Sequence, residues 1–413
     1  MADLADIFLR TVAALSPEPL VLAELAHTGA ELMAVPEVVV IALGKAAPAM
    51  ARGAARALPN ARGLVVAAAP AEVPAGFQLL VGDHPRPGER SLAAGLAALE
   101  LARSAQHGAL FLISGGASSL AEVPLEGLEL VRLADATESL MKGGAPIQAL
   151  NAVRKHLSRL KGGQLAAACG ATVRHAFVVS DVVGDELDAV GSGPASPDPT
   201  TFEDALEAFR ARDLPIEPPV LELLGRGLRG ELAETPKPGD SRLRGMEIHL
   251  LAGVASLAER ACEMVRAAQR IPVRLPELQG ELDACAQTLA SAAKRLAPDE
   301  VLVAAGEPTL RAEGPGEGGR AQHLACTLAR ELAGEPVQIL VAGSDGHDFT
   351  TGAAGALLDG ASWARAIERG LDPDYRLATL DSATLCRALG AQLPAFDSET
   401  NLTDLVLIAR TAR

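Results

Sequence analysis

The stretch HAFVVSDVVGDELDAVGSGPASPDPTTF, residues 175–202, decides the fold class. Its AFVV segment is a continuous apolar run, which is typical of a strand buried on both faces of a sheet. The loop that follows carries Asp181, Asp185, Glu186 and Asp188 before it turns at Gly and Pro. A surface loop needs polar and turn residues, but it does not need acids directly after a buried strand. The stretch therefore indicates an α/β sheet with a ligand site beyond the strand's carboxyl end.

The same pattern recurs along the chain, where short Val/Ile/Leu runs alternate with longer Ala/Leu/Arg-rich stretches of helical period. This alternation is typical of parallel sheets covered by helices. Five of the runs are followed by Gly, Ser, Lys or Asp residues, and open α/β sheets bind ligands beyond the carboxyl ends of their strands. We therefore predict one large site formed by residues of two domains. The predicted strands are 37–43, 63–69, 109–113, 175–179, 247–252, 300–305, 337–342 and 404–409.

The length and one polar segment predict the domain organisation. A chain of 413 residues exceeds the usual size of one domain, so we expect two. The segment 230–245 is polar and rich in Pro and Gly, and it follows a helical stretch. We therefore predict an N-terminal domain of residues 1–235 and a C-terminal domain of residues 236–413.

The charge balance excludes two classes of partner. With 37 basic and 52 acidic residues, the net charge is −15, which argues against binding to nucleic acid or to an anionic membrane. Any anionic ligand must therefore meet a local cluster of positive groups. The five Cys are scattered, as in a reducing compartment, and no apolar run reaches the ~18 residues of a membrane span. We expect a soluble cytoplasmic protein, and we leave open whether it forms a homodimer.

Three basic or Gly/Ser-rich motifs lie in the first half. Lys45 follows the first predicted strand, but the frame of a P-loop is absent. Residues 114–119, SGGASS, suit a backbone nest around a phosphate or carboxylate, although a tight strand-to-helix turn explains them about as well. Arg154 and Lys155 begin a run of basic residues, which is either a solvated helix face or a device that attracts anions.

The acidic candidates follow predicted strands. Asp181 and Asp185 lie in the loop quoted above, and Mg²⁺ beside a triphosphate takes one or two carboxylates. Asp345 and Asp348 follow the strand 337–342 and could hold a metal ion or orient a hydroxyl group. Arg320 follows a Gly-rich loop after Glu307, and its fork of donors suits a phosphate or carboxylate.

Several segments together resemble the class II glycerate kinases, the bacterial glycerate 2-kinase family. The resemblance implies an N-terminal Rossmann-like parallel sheet with helices on both faces and a smaller C-terminal α/β domain of the MOFRL type, with the active site in the cleft between them. It further implies transfer of the γ-phosphoryl group of ATP to the 2-hydroxyl of D-glycerate, giving 2-phosphoglycerate and ADP, with Mg²⁺. The segments are GKAAPAM, GDHPRPGER, LFLISGGASSL, LNAVRKHLSRLKGGQLA, VVSDVVGDELDAVGSGPASPDPTTF, GEPTL, GGRAQ and GSDGHDFTTGAAGA.

The resemblance also implies roles for single residues. Lys45, Arg320 and Asp181 are the predicted catalytic residues. The chain departs from the family pattern in the loops 345–350 and 395–401, where we expect effects on substrate range. The predicted substrate- and phosphate-binding residues are Ser114, Gly115, Gly116, Ser118, Ser119, Asn151, Arg154, Lys155 and Glu307. The predicted metal ligands are Asp181, Asp185, Asp345 and Asp348.

Two other functions remain open from the sequence. An NAD(P)H-dependent hydroxypyruvate reductase would handle a substrate of similar size, but no predicted strand runs directly into the dinucleotide fingerprint G-x-G-x-x-G. A non-catalytic protein that binds small anions would need neither Lys45 nor the acidic residues.

Overall fold

The computed structural model describes residues 4–310, 314–349 and 351–411. Residues 311–313 and Thr350, which belong to two of the loops discussed above, lie outside the described residues. All eight predicted strands are present, with bounds that differ by at most two residues. The strands are β1 (Val38–Leu43), β2 (Ala61–Ala67), β3 (Phe77–Val81), β4 (Gly108–Ser114), β5 (Val173–Val179), β6 (Met246–Ala252), β7 (Ile271–Arg274), β8 (Glu300–Gly306), β9 (Val337–Gly343), β10 (Ala353–Asp359), β11 (Gln392–Pro394) and β12 (Asp404–Arg410).

Helices separate most of these strands, as the alternating sequence pattern predicts. They are α1 (Leu4–Ala14), α2 (Pro17–Thr28), α3 (Ala30–Ala34), α4 (Ala47–Ala57), α5 (Glu89–Ser104), α6 (Ala117–Leu120), α7 (Leu130–Lys142), α8 (Ile147–His156), α9 (Gln164–Ala167), α10 (Phe202–Arg210), α11 (Pro218–Leu228), α12 (Val254–Ala267), α13 (Leu282–Ala293), α14 (Arg320–Glu331), α15 (Ser362–Glu368), α16 (Pro373–Ala378) and α17 (Ser382–Leu389). None of the helices that the structure describes is long and apolar enough to cross a membrane.

The N-terminal unit comprises Pro17–Ser180 and Glu186–Leu251. Its sheet has the order β3-β2-β1-β4-β5-β6, and the first five of these strands pair in parallel. Every residue of β1 and β4 is buried, as their continuous apolar sequences predict. Because Leu43 pairs with Ile113 and Ser114 pairs with Val179, the carboxyl ends of β1, β4 and β5 lie side by side. The turns that follow these strands therefore share one edge.

The C-terminal unit comprises residues up to Ser16, Asp181–Asp185 and the chain from Ala252 onward. Its sheet has the order β11-β10-β9-β12-β8-β7, and β12 is antiparallel to both β8 and β9. The sheet is thus mixed, although the continuous apolar runs predicted a parallel one. Asp404, the first residue of β12, pairs with Gly306 and with Gly343, the last residues of β8 and β9. The carboxyl ends of β8 and β9 and the amino end of β12 therefore lie at the same edge of the sheet.

The observed division differs from the predicted boundary after residue 235. The segment 230–245 is bound to the N-terminal unit rather than free: the Asp198 amide donates to Pro236 O at 2.8 Å, and the Thr235 hydroxyl donates to the Asp198 carboxylate at 2.8 Å. The guanidinium of Arg174 on β5 donates to Arg242 O at 2.9 Å. The chain then adds β6 to the first sheet before it enters the C-terminal unit.

Candidate functional site

The turns after β1 and β4 are joined by hydrogen bonds. The amide of Lys45 donates to Gly115 O at 2.9 Å, and the amide of Ala46 donates to the Ser114 hydroxyl at 3.1 Å. Gly44, at φ +125°, allows this close approach, because a Cβ atom there would lie 2.2 Å from Ser114 Oγ. The two motifs that the sequence singled out therefore form one structure at the sheet edge.

Lys45 lies beside the Gly-rich turn with its side chain exposed. A Cβ atom on Gly116 would lie 3.3 Å from Lys45 Cγ and 3.6 Å from His84 Nε2, so the lysine stem and the imidazole flank this glycine. Partial burial and the charge of Lys45 lower the pKa of His84, which favours the neutral imidazole. Within the described ranges, the Lys45 ammonium has no carboxylate within 4.0 Å. Its charge is therefore available to a ligand.

The serine hydroxyls of the turn are engaged within the protein. Ser118 Oγ lies 2.7 Å from Ser192 Oγ, and the Ser192 hydroxyl donates to Asn151 Oδ1 at 2.9 Å. The Ser119 hydroxyl donates to Gly116 O at 3.2 Å. These bonds fix the turn, so its backbone rather than its hydroxyl groups is the better candidate to receive a phosphate.

Lys155 is a buried structural cation. Its side chain is 2% exposed, and Nζ donates to Asp188 at 2.7 Å and to Asp198 at 3.2 Å. Asp198 also accepts from the Thr200 hydroxyl at 2.7 Å. These partners satisfy the charge of Lys155, so we do not retain it among the residues that contact a ligand.

Arg154, the neighbour of Lys155, has a different environment. Burial lowers the pKa of its guanidinium, and the charge of Glu122 only partly opposes this. Glu122 itself forms a buried ion pair with Lys161. In the part of the chain that the structure describes, no carboxylate lies within 4.0 Å of the Arg154 guanidinium, and its Nη2 lies 3.9 Å from Met141 Sδ. Arg154 is partly buried, and a partly buried cation without a counter-ion is a candidate for binding an anion.

In the C-terminal unit, Arg320 is held between two carboxylates. Its Nε donates to Asp404 Oδ2 at 2.6 Å, and its Nη1 donates to Glu307 Oε1 at 2.5 Å. Burial opposes the charge of Arg320, but these two carboxylates raise its pKa above the ordinary value. A guanidinium has about five N–H donors, so donors remain for a ligand after both bonds are made.

Asp345 and Asp181 are the acidic candidates that remain accessible. A Cβ atom on Gly343 would lie 3.0 Å from Asp345 Oδ1 and 3.7 Å from Asp404 Oδ1, so these carboxylates flank the end of β9. Asp345 Oδ1 accepts from the His347 amide at 2.9 Å. Asp181 Oδ2 accepts from the side-chain amide of Asn401 at 3.1 Å. Both aspartates are partly exposed.

The other two predicted metal ligands cap helices instead. Asp348 accepts from the amides of Ala321 and Gln322 at 3.0 and 2.9 Å, through both oxygens, at the start of α14. Asp185 accepts from the amides of Val254 and Ala255 at 3.1 and 3.4 Å, at the start of α12. Carboxylates suit helix N-termini because they satisfy unpaired N–H groups and the helix dipole. We therefore leave Asp185 and Asp348 out of the proposed metal site.

Three residues at these edges were not predicted as site residues. His84 lies in the GDHPRPGER segment, Asp404 begins a predicted strand, and Asn401 ends the loop 395–401. Of these three, only Asp404 could have been noticed in the sequence, because an acidic residue at the first position of a buried strand needs a partner. His84 and Asn401 come to lie at the edges of their sheets only in the tertiary fold, so the sequence gives no indication of their positions.

Two family models match the chain. One is described as "Domain of unknown function (DUF4147)" and covers residues 3–225, and the other is described as the MOFRL family and covers residues 300–404. The D-glycerate 2-kinase of Thermotoga maritima is 35% identical over 90% of each chain. The glycerate 2-kinase of Pyrococcus horikoshii is 34% identical over 91% of this chain and 88% of its own.

The fold matches a solved structure as well. A crystal structure of glycerate kinase from Thermotoga maritima superposes with a TM-score of 0.86, at 33% sequence identity, over 98% of both chains. The similarity in sequence and fold therefore extends over both units of the chain.

Proposed function

The chain belongs to the glycerate kinase family with a C-terminal MOFRL segment, and on this premise we propose that it is a glycerate 2-kinase. It would transfer the γ-phosphoryl group of ATP to the 2-hydroxyl of D-glycerate, giving 2-phosphoglycerate and ADP. The observation that carries the proposal is the exposed ammonium of Lys45 beside the Gly-rich turn at the edge of the N-terminal sheet. An unpaired cation at that position suits a phosphate or a carboxylate.

The N-terminal unit supplies groups for anions. Phosphoryl transfer depends on positioning and on neutralising charge around the transferring group, and Lys45 supplies that charge in our proposal. The backbone of residues 114–119 would hold phosphate oxygens, and Arg154 would bind a further anionic group, because burial without a counter-ion favours this.

The C-terminal unit supplies Arg320 and two carboxylates. Arg320 is held in one orientation by Asp404 and Glu307, so its remaining donors form a rigid fork for a phosphate or for the glycerate carboxylate. Asp181 and Asp345 would hold Mg²⁺, since carboxylate oxygens are the protein ligands that this ion prefers. When bound, Mg²⁺ would supply positive charge to the phosphate oxygens.

In the reaction, the 2-hydroxyl oxygen of glycerate forms a bond to the γ-phosphorus. The bond between that phosphorus and the oxygen bridging it to the β-phosphate breaks, and ADP leaves with this oxygen. The proton of the hydroxyl group is released. Exclusion of water matters for this step, because water competes with glycerate as the acceptor.

One experiment separates the three functions that the sequence left open. The purified protein is incubated with D-glycerate, ATP and Mg²⁺ while ADP release is followed, and separately with hydroxypyruvate and NADH while absorbance is followed. We expect ADP release that depends on glycerate. Oxidation of NADH instead would identify a reductase, and binding of glycerate without either reaction would identify a binding protein.

A further inference from the structure

Two histidines and a glutamate form a cluster on the last two strands of the N-terminal sheet. His175 lies on β5, and Glu247 and His249 lie on the neighbouring edge strand β6. Residues two apart on a strand point to the same face, so Glu247 and His249 share one side of β6. One ligand atom from each of the three residues lies within 4.8 Å of the others. The proposed kinase function uses none of them.

The ring nitrogens that face this cluster lack partners. His175 Nδ1 and His249 Nε2 are buried, and neither has a hydrogen-bond partner among the described residues. Each lies 3.6 Å from Glu247 Oε2, which is too long for a hydrogen bond. Buried polar atoms are nearly always satisfied, so these two nitrogens point to a ligand.

A fourth residue prepares His249 for such a ligand. His249 Nδ1 lies 3.0 Å from Glu24 Oε1 on α2, within ion-pair distance. When Nε2 of a neutral imidazole binds a metal ion, Nδ1 carries the proton, and here it would face this carboxylate. Metal-binding histidines usually donate their second N–H to a carboxylate in this way.

We propose that His175, Glu247 and His249 form a binding site for one divalent transition-metal ion of the zinc type. Two imidazole nitrogens and a carboxylate are a donor set of the kind that binds Zn²⁺, whereas Mg²⁺ prefers oxygen ligands alone. Ligands at about 2.0–2.1 Å from a tetrahedral ion lie roughly 3.4 Å apart, and the two observed separations of 3.6 Å are close to this value.

The cluster also has a route for the ion and a reason to be ligated. The side chain of Glu247 is 60% exposed and that of His249 is 23% exposed, while that of His175 is only 4% exposed. The ion can therefore enter from solvent past Glu247. One ion would satisfy the unpartnered ring nitrogens of both histidines, His175 Nδ1 and His249 Nε2. A bound ion would join the edge strand β6 to β5, just before the chain leaves the N-terminal unit.

The test measures zinc binding by the full-length protein, with any affinity tag removed and the metal first stripped by a chelator. Titration with ZnCl₂ is followed by calorimetry, bound zinc is counted by mass spectrometry, and CoCl₂ is used as a spectroscopic probe. We expect one Zn²⁺ per chain, a rise in melting temperature on adding zinc, and a tetrahedral cobalt spectrum.

Variants distinguish this site from carboxylates elsewhere in the protein. His249→Gln and Glu247→Gln are expected to abolish stoichiometric binding, and Glu24→Gln to weaken it by about 10–100-fold. His107→Gln, at an exposed histidine ahead of β4, is the matched control and should bind as the wild type does. The exposed position of Glu247 makes Glu247→Gln the variant least expected to disturb folding. Absence of stoichiometric zinc in the wild type, or equal binding in Glu247→Gln, would overturn the proposal.

Discussion

Lys45 and Arg320 were predicted to share one task, but their surroundings differ. Lys45 is exposed and has no carboxylate within 4.0 Å among the described residues, whereas Arg320 is bound to Asp404 and Glu307. Removing Arg320 would therefore also leave the buried carboxylate of Asp404 without its partner, and this is strongly destabilising. Lys45 offers the cleaner test of function.

We expect Lys45→Ala to lower kcat/KM by about a hundredfold without changing the melting temperature, because it removes a charge directed at the transferring group. Steady-state kinetics with ATP and D-glycerate and a thermal melt measure both quantities. Lys142→Ala, an exposed lysine on α7, is the matched control and should behave as the wild type. Near-normal turnover in Lys45→Ala would remove Lys45 from the proposed mechanism.

Arg154 and Lys155 are adjacent cations for which we expect opposite effects. Arg154→Met removes a partly buried charge without a counter-ion, so the melting temperature should hold or rise, while KM for at least one of the two substrates rises about tenfold. Lys155→Met leaves Asp188 and Asp198 without their cation and should cost about 3–5 kcal/mol of stability. Thermal melts and substrate titrations compare the variants. A clear loss of stability in Arg154→Met would instead indicate a structural role.

At the scale of elements, the sequence predicted best the strands whose neighbours bury both faces. β1, β4 and β12 are continuous apolar runs and were found without the structure. Four strands were missed. β3, β7 and β11 are short and only partly buried, so their sequences lack that signal. β10 is mostly buried, but its sequence AAGALLD consists largely of Ala and Gly rather than Val and Ile. The direction of β12 was not predictable, since a strand between two others is equally apolar whether it runs parallel or antiparallel to them.

The acidic candidates show a similar limit. A carboxylate that caps a helix and one that binds a metal ion use the same acceptor oxygens, so Asp185 and Asp348 look alike in sequence to Asp181 and Asp345. Only the fold shows that the first two accept from the N-termini of α12 and α14. The position of all four after predicted strands was nevertheless informative, because the structure places them directly after β5 and β9.

The segment 230–245, where we predicted the domain boundary, carries a strongly perturbed acid. Burial alone would raise the pKa of Glu234, yet hydrogen bonds with His156 and Lys237 lower it from 4.5 to about 2. An acid whose pKa is lower in the folded state than in the unfolded chain stabilises the fold at pH values above its unfolded pKa. Glu234 should therefore contribute stability above pH 4.5, and this contribution should disappear as the pH falls towards about 2.

We expect Glu234→Gln to destabilise the protein at pH 7 by roughly 1 kcal/mol or less, because the group is partly exposed and screened. The difference from the wild type should shrink as the pH falls below 4.5. Urea unfolding at several pH values measures this difference. Glu207→Gln, at an exposed glutamate on α10, is the control. A difference that is independent of pH would show that Glu234 acts through packing alone.

At the scale of the whole molecule, the chain consists of two units with different sheets and complementary chemistry. The parallel sheet of the N-terminal unit ends in Gly/Ser turns beside Lys45, which suit anions. The mixed sheet of the C-terminal unit ends beside carboxylates and Arg320. The family and the α/β class were predicted from sequence and are confirmed by the matches over both units. The roles of individual residues stay predictions.

The position of the phosphate on the product tests the proposed function of the whole protein. The two hydroxyl groups of glycerate lie one carbon apart, and a misplacement of about 1 Å can cost roughly a hundredfold in rate. Arg320 is fixed by two carboxylates, so a glycerate carboxylate bound to it would be held at a fixed point. The loop 395–401 is bound to the turn that follows β9, where the Phe396 amide donates to Gly346 O at 3.1 Å.

We therefore expect 2-phosphoglycerate as the product, with the altered loops 345–350 and 395–401 affecting mainly KM for glycerate or tolerance of related hydroxy acids. Coupling the reaction to enolase, without phosphoglycerate mutase, detects the 2-phosphate directly, and phosphorus NMR of the product identifies the position independently. Adding the mutase is the control, because only then would a 3-phosphate feed enolase. A signal that depends on the mutase would mean that the primary hydroxyl is the acceptor, because the pocket then holds glycerate with its terminal carbon towards the γ-phosphate.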